Sequence, residues 1–178
     1  MRLFLTATLL AALTLPAAAQ PPVSGHAGFT LAVDACARIV EEEGGSSARA
    51  RAIGAAGLAV GQPDPAQLQS FFFKDAQRVD WWRRPVSTGT VQVGYDPAAN
   101  KCRVFLMGTP RASVIPDTFA ALSDDWFAQD AEKTFVSRME DGRLLLMTLL
   151  PGDESKGVTP LTLTAVALVY VLAPDEGT

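Results

Sequence analysis

The sequence is poor in the residues that carry most hydrolytic, redox and metal chemistry. It holds one histidine, His26, and two cysteines, Cys36 and Cys102, in 178 residues. A Ser–His–Asp or Cys–His site needs an imidazole held by the scaffold, and His26 falls in a segment expected to be a flexible leader. A zinc centre needs several histidine or cysteine ligands close together, which one histidine and two pairing cysteines do not supply. No Gly-x-Ser-x-Gly elbow, no glycine-rich loop ending in Gly-Lys-Ser or Gly-Lys-Thr, and no Asp-x-Asp-x-Asp-Gly calcium loop occurs. The sequence therefore offers no catalytic residue, no metal ligand and no cofactor motif.

Long apolar runs and basic charge are scarce too. Beyond the N-terminus the longest apolar run is residues 161–172, fenced by Pro160 and Pro174. Twelve residues fit a buried strand better than a membrane helix, which needs about 17–25. Without its first 19 residues the chain carries 14 basic against 19 acidic residues, a formal charge of −5. That balance gives no footprint for nucleic acid or anionic lipid.

What is present begins with those 19 residues. Arg2 supplies a short positive region, residues 3–15 an apolar one, and Pro16 followed by Ala17-Ala18-Ala19 a small-residue cleavage site. The expected organisation is a signal peptide over 1–19, a leader over 20–26, one globular domain over 27–174 and a tail over 175–178. No cysteine follows the cleavage site to take a lipid, so no stable membrane insertion is expected after cleavage. The absence of any Asn-x-Ser/Thr acceptor favours the periplasm of a Gram-negative bacterium, with an extracellular address as the alternative.

An exported compartment oxidises thiols, so Cys36 and Cys102 are expected to pair. The loop closed spans about 67 residues, and chain entropy puts such a bond at about 4 kcal/mol. No Cys-x-x-Cys spacing suggests redox catalysis, so its role is structural.

Apolar spacing predicts a helix over 27–43, with Phe29, Val33, Cys36 and Val40 on one face. A second helix is expected over 48–60, and a third from Asp64-Pro65, fading near Val79. The period then becomes alternating. Residues 90–95 and 101–107 read as one hairpin, residues 133–139 and 143–150 as another about Asp141-Gly142. A helix from Pro116 with Phe119, Leu122 and Trp126 separates them, and residues 161–172 form a last strand. The nearly continuous apolar run 144–150 marks a central strand covered on both faces. The expected class is α+β: about three N-terminal helices on an antiparallel sheet of about five strands, with a further helix between two hairpins. A 45-residue shift superposes Trp81 on Trp126, Trp82 on Phe127, Val91 on Val136 and Val104 on Leu149, a pattern compatible with duplication.

Three clusters compete as sites. Glu41-Glu42-Glu43 and Asp124-Asp125 each put carboxylates side by side, yet neighbours on a helix diverge by about 100° and make poor acid–base pairs. Phe71-Phe72-Phe73 followed by Trp81-Trp82-Arg83-Arg84 is the richer segment. Three successive phenylalanines cannot all face one core, and Trp and Arg favour interface hot spots. Trp81, Trp82, Arg83 and Arg84 are the candidate binding surface; filling the joint between helices and sheet is the competing role. The leading function is a soluble, non-enzymatic binding domain for an envelope protein or small ligand. An inhibitor or immunity-type protein is one alternative. A carboxylate-dependent envelope hydrolase or lyase using Asp124 or Asp125 is the other.

Overall fold

The computed structural model describes residues 22–42, 45–109, 127–128, 134–139, 143–151 and 163–172. The first helix, α1 (Gly25–Glu41), is capped by the Ser24 side chain, which accepts from the Ala27 N–H at 3.1 Å. Its buried face carries Phe29, Ala32, Val33, Cys36, Ile39 and Val40. It begins two residues earlier than the leader assignment allows, so His26 sits in its first turn.

The second helix, α2 (Ser46–Ala55), stops five residues short of the sequence expectation. Gly57 turns the chain with φ +64°, and the Leu58 and Gly57 N–H groups donate to the carbonyls of Ile53 and Gly54, both at 3.0 Å. This pair of bonds is a Schellman stop. The freed residues form a two-residue strand, β1 (Ala59–Val60).

The third helix, α3 (Gln67–Phe72), is also shorter than expected, because Phe73 leaves helical geometry. A strand that the periodicity did not reveal follows, β2 (Asp80–Val86). Pro85 fits there because β1 pairs only with Trp82 and Arg83, leaving the outer side of β2 without a partner strand at that point. The first hairpin comprises β3 (Gly89–Asp96) and β4 (Lys101–Met107), close to the expected bounds.

The C-terminal half contributes β5 (Phe127–Ala128), β6 (Thr134–Arg138), β7 (Leu144–Pro151) and β8 (Leu163–Leu172). β6 and β7 pair as expected, and the Met139 N–H donates to the Arg143 carbonyl. The helix expected from Pro116 and the tip at Asp141-Gly142 lie outside the described residues.

The fold is α+β, with eight strands among the described residues instead of about five. They form one antiparallel sheet in the order β1-β2-β3-β4-β8-β7-β6-β5. The last strand thus lies at the centre, between β4 and β7. The 45-residue shift carries β2, β3 and β4 onto the segments of β5, β6 and β7, which flank β8 on its other side. It does not preserve register, since Val91 pairs with Leu106 whereas Val136 pairs with Leu146.

Alternation gives the sheet two buried faces. On one, α1 covers Val91, Val93, Val104, Leu106, Ala167 and Val169. The Cys36–Cys102 disulfide joins α1 to β4 there, with Cα atoms 5.5 Å apart. On the other face, Leu68 and Phe73 cover Trp81, Phe105 and Val166. Leu145, Leu146 and Met147 are consecutively buried, as a strand covered on both sides requires.

Candidate binding cleft

Alternation along β2 separates the four residues singled out from the sequence. Trp82 points to the α1 side and Trp81 to the opposite face, and both are buried. The two tryptophans are therefore core, not a binding surface. Arg84 donates to the Ala56 carbonyl at 2.6 Å and so caps the end of α2. Arg83 alone is exposed. No common surface unites the quartet, because neighbours on a strand face opposite ways.

The Phe71-Phe72-Phe73 run behaves differently. Phe71 is 63% exposed, Phe72 is half-buried and Phe73 is buried. Phe73 reaches the sheet over Gly94, where an added Cβ would lie 2.8 Å from its ring. It packs edge-on against Trp81 at 5.3 Å, while Phe72 meets Phe105 at 5.0 Å. The Trp81 indole N–H is buried with no hydrogen-bond partner among the described residues, so this side chain contributes apolar filling only.

Gly94 pairs across the sheet with Arg103, which brings a guanidinium beside the same ring. The Arg103 carbon lies 4.6 Å from the Phe73 ring centroid, a close cation–π contact. Arg103 is half-buried, and burial pushes its guanidinium below the ordinary arginine range, while the neighbouring Asp96 carboxylate acts the other way. No described carboxylate forms an ion pair with it, and no described group accepts a hydrogen bond from it. It remains charged at neutral pH and presents a planar fork of donors suited to a carboxylate.

Around it opens a cleft of about 330 Å³, walled by Phe71, Phe72, Lys74, Asp96, Lys101 and Arg103. Lys101 stacks over Tyr170 at 5.9 Å and lies opposite Asp96 across the β3–β4 pair. Lys74 contacts Asp75 at 4.0 Å on the exposed rim. The arrangement can hold an anion at its floor and an apolar group at its wall.

Two further depressions are less suited. One of about 470 Å³ beside Gln62, Pro63, Gln69 and Ser70 is more open and has Lys74 as its one charged lining residue. Another of about 270 Å³ contains Gln92, whose amide is already engaged. Its oxygen accepts from the Asp64 N–H at 2.9 Å, and its nitrogen donates to the Asp64 carbonyl and to Met107 Sδ.

The acidic clusters do not assemble a site within the described residues. Glu42 pairs with Arg51 at 3.5 Å on the surface. Glu43, Asp124 and Asp125 lie outside the described residues. Among the described residues no group of three or more His, Cys, Asp or Glu side chains could hold a metal ion, and no helix is long and apolar enough to cross a membrane.

Sequence reasoning overlooked Arg103. A signal was available in β4, where Phe105 falls on the side opposite Cys102, Val104 and Leu106 and marks a second covered face. No family model matches the chain, and no curated protein or solved structure matches it.

Proposed function

We propose that this chain is an exported, non-enzymatic binding domain whose site is the cleft between the end of α3 and the β3–β4 hairpin. The observation that carries this reading is Arg103: a half-buried guanidinium over the Phe73 ring, with no ion-paired partner among the described residues. Keeping such a charge partly desolvated costs free energy unless it meets an anion. The N-terminal pattern of Arg2, an apolar stretch and Ala17-Ala18-Ala19 supports export. A disulfide with both cysteines buried suits an oxidising compartment such as the periplasm.

The test is thermal unfolding of the purified protein with and without the small-molecule fraction of its host's periplasm. A ligand of the native state raises the midpoint with the logarithm of its concentration once that exceeds its Kd. A concentration-dependent rise supports the proposal. An unchanged midpoint across a concentration series contradicts it.

A further inference from the structure

Charge around the cleft is nearly balanced. Asp75 contacts Lys74. Asp96 faces Lys101 across the hairpin, and its Oδ1 also accepts from the Ala98 and Ala99 N–H groups. Three cations and two carboxylates line the space, which leaves one positive charge in excess; Asp96 offsets Arg103 only in part, without an ion pair between them. A single negative charge would complete the set. A phosphate dianion would add one charge too many beside Asp96.

Shape narrows the ligand further. The Arg103 guanidinium lies over the Phe73 ring and has no hydrogen-bond acceptor among the described residues, so its planar fork of donors is available to match a carboxylate in two parallel bonds. Phe71 and Phe72 stand on the wall of the same cleft, and Phe71 is mostly exposed. Exposed aromatic surface beside a fixed cation suits a ring attached to an acid. A volume of about 330 Å³ is at the lower end of small-molecule sites.

We infer that the cleft binds a small aromatic monocarboxylate, the acid on Arg103 and the ring against Phe71 and Phe72. This rests on the cleft being the binding site of the domain. Arg103 supplies the charge-assisted hydrogen bonds, Lys101 and Lys74 add long-range attraction, and the phenylalanines exclude water from the ion pair.

Phenylacetate, inorganic phosphate and 2-phenylethanol are the probes, titrated into the full mature chain and followed by NMR through the Arg103 Nε–H and Trp81 indole signals. Phenylacetate should give saturable shifts, with the alcohol weaker by about tenfold or more, as loss of a charge-assisted pair implies. Phosphate should produce no saturable change. Arg103→Gln should weaken phenylacetate by about tenfold or more. Phe71→Ala, at an exposed position, keeps the test usable should Arg103→Gln fail to fold. It should weaken phenylacetate while leaving the fold intact. Absence of saturable phenylacetate binding overturns the inference, as do preference for phosphate or equal binding by Phe71→Ala. Should the periplasmic fraction stabilise the wild type and Arg103→Gln equally, the binding role would stand and the cleft assignment would fall.

Discussion

Phe73 lies on the sheet only because residue 94 is glycine. A Cβ at Gly94 would sit 2.8 Å from the Phe73 ring, closer than real contacts allow, and 3.1 Å from the Trp81 ring. Gly94 is also the cross-strand partner of Arg103, so this gap positions both the ring and the cation it stacks on.

Gly94→Ala should therefore force Phe73 off the sheet. The expected loss is about 1–3 kcal/mol, the usual range for overpacking, together with altered near-UV dichroism from Trp81. Urea unfolding measures the first. A stability equal to wild type would mean that the ring shifts without cost and that Phe73 does not fix Arg103.

Two glycines near the end of α2 should respond in opposite directions. Gly57 has φ +64°, and an added Cβ would meet Arg84 Nη1 at 2.9 Å. Gly57→Ala should cost more than about 1 kcal/mol. Gly54 is helical, with nothing within 4 Å of an added Cβ, so Gly54→Ala should stabilise by about 0.5–1 kcal/mol. Paired thermal melts decide it: a neutral or stabilising Gly57→Ala would contradict the need for glycine at the turn, and a destabilising Gly54→Ala would contradict the open space beside that helical position.

The disulfide predicts a kinetic asymmetry as well as a stability. Cys36 and Cys102 are both fully buried, so a mild reductant should leave the folded protein oxidised and reduce it once unfolded. Cys36→Ala/Cys102→Ala should lose about 2–5 kcal/mol. Intact-mass analysis before and after reduction in urea follows the bond directly. Rapid reduction under native conditions would show that α1 does not shield it.

Gln92 holds the segment before α3 through both backbone groups of Asp64. Gln92→Leu keeps the bulk but leaves those groups unpaired, so a loss of about 1–3 kcal/mol is expected. Hydrogen exchange at the Asp64 amide should accelerate selectively. Unchanged exchange there would mean that the Gln92 amide is not what orders this segment.

The parts legible in the sequence are those written in local periodicity. The face of α1 followed from Phe29, Val33, Cys36 and Val40, and the β3–β4 hairpin from the alternation of residues 90–95 and 101–107. The Cys36–Cys102 bond followed from there being one pairing to make. β2 was hidden because Trp81 and Trp82 are apolar on both faces of a doubly covered sheet, which erases alternation, and because Pro85 reads as a break. Insertion of β8 between β4 and β7 is a long-range pairing that no local pattern encodes. The cleft was half visible. The Phe71-Phe72-Phe73 run announced that some aromatic surface must lie near solvent, whereas Arg103 acquires its meaning only when Phe73, from a distant segment, lies over its hairpin partner Gly94.

Native mass spectrometry of the protein purified gently from its own host, alongside Arg103→Gln prepared identically, tests the central claim most directly. The account predicts a mature chain starting at Gln20, oxidised at Cys36 and Cys102, carrying a small anionic adduct in the wild type that the variant lacks. A bare wild-type chain, or the same adduct on both proteins, would contradict Arg103 as the floor of the binding site.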